Sequence, residues 1–139
     1  MDQKRFLTGT IAGAVILFVL GWLFWTVLFA GFFEGQMGSA QGVPKEPPVW
    51  WAQIVGTLAL AALYTLIIQW RGASSVIEGM KTGAIAGFLI WLGVDLILFS
   101  VWNVNTLGGS LVDPVLELVR TGIAGGVIAA VAGKKAVET

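Results

Sequence analysis

Four apolar segments divide the chain, at residues 6–33, 49–70, 83–101 and 115–132. A helix rising about 1.5 Å per residue needs roughly 20 apolar residues to cross the hydrocarbon core of a bilayer, and each segment is close to that length or exceeds it. Backbone polar groups in lipid have to be bonded internally, and each run is a self-contained stretch of helix length, so the segments are predicted to be helices. The expected fold is all-α: a polytopic membrane protein with a four-transmembrane-helix bundle forming one domain over residues 1–139. Composition agrees, with 57% hydrophobic and 12% charged residues and a mean hydropathy of +0.87. Four crossings leave short loops and no room for a separate soluble domain.

What the chain lacks removes whole classes of chemistry. It has no Cys and no His, which excludes disulfides, thiolate nucleophiles, imidazole bases and the usual haem and zinc ligands. Eight basic residues balance eight acidic ones, so nothing attracts a polyanion over long range and nucleic acid is not an expected partner. No cofactor or metal is indicated. Catalytic templates fail as well. Gly93-Val94-Asp95 is similar to the glycine-aspartate motif of intramembrane aspartyl proteases, but no second buried Asp is evident to share the proton. Ser100 has no base, and residues 72–81 lack the spacing of a phosphate loop. The expectation is a protein that is not an enzyme.

Direction follows from the basic residues. Lys4, Arg5, Arg71, Lys81, Lys134 and Lys135 fall at the N-terminus, the second loop and the C-terminus, while the first and third loops hold only Lys45. The positive-inside rule puts both termini in the cytoplasm. The first segment is about twice as long as the apolar core of a signal peptide and reads as a retained span. Tryptophans near segment ends (Trp22, Trp25, Trp50, Trp51, Trp70, Trp102) fit interfacial belts in contact with membrane lipids. The first loop, residues 34–48, is rich in Gly and Pro and reads first as a connector, with a lid over the bundle mouth as the alternative. Asp113 followed by Pro114 reads as the N-cap and first position of the fourth helix.

Thr8-Gly9-Thr10-Ile11-Ala12-Gly13 recurs as Thr82-Gly83-Ala84-Ile85-Ala86-Gly87, and Pro48-Val49 recurs as Pro114-Val115. The pattern suggests two parallel two-helix repeats, residues 1–74 and 75–139, or convergence on glycine-rich helix starts. Gly9 and Gly13, Gly83 and Gly87, and Gly122 and Gly126 are each spaced by four, as is the Ala52–Gly56 step, and all are predicted to let helices approach closely. On the fourth helix the Gly122–Gly126 groove is expected to face another copy in a homo-oligomer, or alternatively the first helix.

Asp95, Glu117 and Arg120 lie inside apolar spans, where each charge costs about 2.5 to 3.5 kcal/mol and needs a partner. Measured from outer ends near Asn103 and Asp113, Asp95 lies roughly 12 Å inward and Arg120 roughly 10 Å, which predicts a contact between them. Gln53, Thr57 and Trp91 are expected at the same polar cluster in the outer half of the bundle, with Thr26 from the first helix. Such a cluster is either an electrostatic clip that fixes helix register or a site for a small polar ligand.

The order of these features is distinctive: a Gly-bearing first helix after Lys4-Arg5, then Lys45-Glu46-Pro47-Pro48, Trp70-Arg71-Gly72, Lys81-Thr82-Gly83-Ala84, Asp95-Leu96 and Leu111-Val112-Asp113. The set resembles a group of small, uncharacterised bacterial four-span membrane proteins over nearly the whole chain. That resemblance implies four spans and the bacterial inner membrane. Small multidrug exporters share four spans and many tryptophans, but their essential carboxylate lies in the first helix, where this chain has none. Three functions follow as expectations: a non-enzymatic helical module that self-associates or joins a larger membrane complex, a small transporter or polar-ligand binder using Asp95, Glu117 and Arg120, and, as the third, a membrane enzyme.

Overall fold

The structure, a computed structural model, describes residues 2–133. Lys134 and Lys135, part of the orientation argument, lie outside the described residues. The chain is all-helical, and four of its helical stretches are long and apolar enough to cross a membrane. Helix α1 (Gln3–Gly21) starts at Asp2, whose carboxylate accepts from the amides of Lys4 and Arg5 at 3.0 and 3.3 Å. It continues as a π-helical stretch, Trp22–Leu28, which closes with a Phe29 N–H bond to the Phe24 carbonyl, and then as the short α2 (Ala30–Gly35). Helix α3 spans Trp50–Arg71, α4 Val76–Val101 and α5 Leu107–Ala132.

Both α4 and α5 begin earlier than their apolar runs suggest, because polar caps rather than hydropathy set a helix start. At α4 the Ser75 hydroxyl accepts from the Glu78 amide, and the Glu78 carboxylate reaches back to the Ser74 amide at 2.7 Å. At α5 the cap is Thr106, whose hydroxyl accepts from the Gly109 amide. Asp113 is therefore not the N-cap, and Pro114 sits two turns inside the helix, fully buried. The pairing of Pro48 with Pro114 as equivalent helix openings does not hold. The turn from α3 to α4 needs Gly72 at φ +70°. There its amide bonds the Gln69 carbonyl and the Ala73 amide bonds the Ile68 carbonyl, closing the helix end.

Helix α5 is the centre of the bundle: 56% of its apolar window is buried inside the protein, against 11% for α1 and for α4. It packs along α4 over most of its length, and α1 packs in the angle between α3 and α5. The half nearest the termini is held by small residues. A Cβ on Gly79 would run into the Gly125 carbonyl, one on Gly83 into the Thr121 carbonyl, and one on Gly87 into the Thr121 side chain. Gly9 lies on Thr65 and Ala132, and Gly13 on Ile128 and Ala61. Both threonines bond their hydroxyls to their own helix, Thr65 to the Ala61 carbonyl and Thr121 to the Glu117 carbonyl. Gly9 on Thr65 and Gly87 on Thr121 are thus alike in the two hairpins, one turn out of step with the sequence match.

Two glycine expectations are corrected. The Gly122–Gly126 groove is filled by α4, through Ala84 over Gly122 and Met80 over Gly126. It faces neither a second copy nor α1, because the α4 glycines opposite bring that helix in first. Gly56 has nothing within 4 Å and packs against no neighbour. At the other end, residues 36–40 run antiparallel to residues 103–106. Gly38 and Ala40 donate to the carbonyls of Val104 and Asn103 at 3.0 Å, and the Thr106 amide donates to the Gln36 carbonyl at 2.9 Å. The first loop is more than a connector: it is fastened to the third across the mouth of the bundle.

Candidate functional site

The polar cluster occupies the half of the bundle below these fastened loops, where α3 and α4 touch only lightly. Glu117 and Arg120, one turn apart on α5, form an ion pair of 2.6 Å between Oε1 and Nη1. The guanidinium also donates from Nε to the Leu17 carbonyl of α1 at 2.9 Å and stacks over the Trp25 ring, 5.3 Å from its centroid. Gly21 makes room for it, since a Cβ there would stand 3.0 Å from Nη2. Three different groups therefore hold one cation in a nearly buried position, as a charge in lipid requires.

Asp95 does not reach Arg120. The matching depths assumed that α5 begins at Asp113; with the helix starting at Leu107, it is Asp113 that comes level with Asp95. The two carboxyls line the same cavity, and Trp25 Nε1 donates to Asp113 Oδ1 at 2.7 Å. Asp113, half-buried, is thus a second Asp beside Asp95, the partner whose apparent absence set aside the aspartyl-protease comparison. The cluster holds three carboxyls and one guanidinium.

Two cavities meet at this cluster. One, of about 500 Å³, is walled by Arg120, Glu117, Asp113, Trp91, Trp25 and Trp50, with Gln53 at its edge. The other, of about 640 Å³, lies under the loops and is lined by Asp95, Asp113, Glu34 and Glu46 together with Phe33 and Asn105. Trp25, Thr26 and Asp113 border both, so the Trp25–Asp113 hydrogen bond stands in the wall between them. Two buried carboxyl oxygens here have no hydrogen-bond partner: Asp95 Oδ2 and Glu117 Oε2. Asp95 is 6% exposed and Glu117 3%, and a buried acceptor left empty normally has a ligand or water to meet.

Of the residues expected at the site, Glu117, Arg120, Trp91 and Gln53 line the first cavity and Asp95 the second. Thr57 is elsewhere. Its hydroxyl donates to the Gln53 carbonyl, and the residue lines an apolar groove between α1 and α3 with Ile11, Val15 and Leu58. Sequence reading missed Asp113, Trp25 and Gly21 as members of the site. A signal for the first was present: Asp113, Glu117 and Arg120 follow an i, i+4, i+7 spacing that puts them on one helix face once Asp113 is inside the helix. Nothing local marks Gly21, whose role depends on a side chain 99 positions away. Among the described residues no three His, Cys, Asp or Glu side chains are grouped to hold a metal ion. Comparison of the chain with protein-family models, with characterised proteins and with solved structures gives no match in any of the three.

Proposed function

We propose that the chain is a non-enzymatic, multi-pass protein of the bacterial inner membrane that binds a small polar solute beside Arg120 and Glu117, as a small transporter or binding protein. The observation that carries this reading is a cavity of about 500 Å³ whose wall includes Glu117, 3% exposed and with Oε2 unpartnered. An electrostatic clip needs no cavity and would satisfy both carboxylate oxygens. The self-assembling module drew its support from the Gly122–Gly126 groove, and α4 fills that groove.

In this reading both termini are cytoplasmic and the fastened loops face outward, as the basic residues argue. Cysteine labelling tests the orientation: an introduced cysteine at Gln41 should react from outside intact cells and one at Ser74 should not, and the reverse pattern inverts the topology. The binding claim is tested by calorimetry on the detergent-purified chain with small amines, amino acids and carboxylates. Saturable binding that Glu117→Gln abolishes, with the helical content unchanged, supports it; heats that never saturate for any solute oppose it.

A second reading is favoured by one observation, the carboxyls of Asp95 and Asp113 lining one cavity. A water held between such a pair can attack a peptide carbonyl, one carboxyl taking its proton while the other donates to the carbonyl oxygen. Cleavage of a labelled transmembrane peptide that Asp95→Asn abolishes would support that chemistry, and intact peptide after long incubation would oppose it.

A further inference from the structure

We propose that the solute held in the cavity beside Arg120 is a small organic monocation, an ammonium carried on an apolar body; this rests on the polar-solute reading and narrows it to one class. The argument begins with the charges that face the two joined cavities. Asp113 and Glu117 from α5, Asp95 from α4, Glu34 from α2 and Glu46 from the first loop stand against Arg120 alone. Arg120 is already engaged by Glu117 Oε1, the Leu17 carbonyl and the Trp25 ring. An anion would find one neutralised guanidinium and several carboxyls, and would be repelled. A cation would find the carboxyls of Glu117 and Asp113 in the wall of the first cavity and, beyond Trp25, Asp95 beside Asp113 in the second; carboxyls so placed repel each other unless a proton or a cation lies near.

The walls then decide which kind of cation fits. A hydrated inorganic ion gives up its water only to a closely set group of oxygens, and among the described residues no cluster of three metal-ligating side chains exists. What surrounds the space is aromatic: Trp22, Trp25, Trp50 and Trp91, contributed by three different helical stretches. Indole faces attract a weakly hydrated ammonium and exclude water from its methyl groups, a combination that neither a metal ion nor a neutral sugar exploits. Trp50 and Trp22 are 54% and 57% exposed, so their rings contribute little to the bundle's own packing.

Choline, its neutral isostere with carbon in place of the ammonium nitrogen, and acetate are the probes, titrated calorimetrically into the purified chain in detergent. Choline should bind saturably, the isostere at least tenfold more weakly, and acetate without saturation. Asp113→Asn should weaken choline about tenfold and Trp50→Ala about fivefold, with Trp50→Phe restoring most of the loss. Trp50→Ala lies at an exposed helix start, which keeps the test valid if Asp113→Asn does not fold. Equal binding of choline and its isostere overturns the inference. Binding of acetate without choline also overturns it, while leaving a polar-solute site in place. Saturation by none of the three, extended to the wider solute set above, overturns both the inference and the reading beneath it.

Discussion

The two halves of α5 are built from one continuous helix and do opposite things. Toward the termini, Gly122, Ala124, Gly125, Gly126, Ala129 and Ala132 are all buried, and the α4 glycines opposite bring the two backbones nearly into contact. Toward the loops, Asp113, Glu117 and Arg120 carry long or charged side chains on the same helix, and the bundle opens into two cavities. Lipid gives helices little hydrophobic reason to associate, so association depends on how closely backbones approach. Side chains of one or no carbon atoms permit that approach and leave no space for water. Charged and indole side chains forbid it and leave space that only polar guests fill. The contrast is one of side-chain volume before it is one of polarity.

Breaking the open half should have the larger effect. Arg120→Ala leaves Glu117 buried without its counter-charge, and should lower stability by about 3–5 kcal/mol in SDS titration followed by circular dichroism. Adding Glu117→Gln should return about 1–3 kcal/mol of that, and purely additive losses would show that the pair is not coupled. In the closed half, Gly83→Ala forces a methyl group against the Thr121 carbonyl and should cost about 1–3 kcal/mol in the same titration. A neutral result there would mean that the seam between α4 and α5 is looser than described.

The boundary between the halves is sharpened by Trp25→Phe, which keeps a ring against Arg120 but removes the hydrogen bond to Asp113. A loss of about 1.5 kcal/mol is expected, and no loss would detach Trp25 from the wall between the cavities. The smallest effect is a gain. Gly56→Ala adds a methyl group where nothing lies within 4 Å, and should stabilise α3 by about 0.5–1 kcal/mol through helix propensity alone. Destabilisation there would reveal a partner covering that face.

How much of this was legible in the sequence varies with the distance over which the signal acts. Span length and hydropathy determined four membrane-crossing helices, because a lipid environment admits few other ways to satisfy a backbone. The need to pair buried charges singled out Asp95, Glu117 and Arg120, and four-residue glycine spacing marked the faces that pack. Helix starts were harder, since Ser75 and Thr106 act through side-chain hydrogen bonds that apolar runs do not reveal. That error of two turns at α5 disguised Asp113 as a cap and matched Asp95 with the wrong partner. Tertiary structure alone decided which helix fills the Gly122–Gly126 groove, that Gly21 clears a place for Arg120, and that Trp25 bridges Arg120 and Asp113. Each of these depends on the rotation of one helix about its axis relative to another. Periodicity says which residues share a face, but the direction of that face is set only when all four helices have packed.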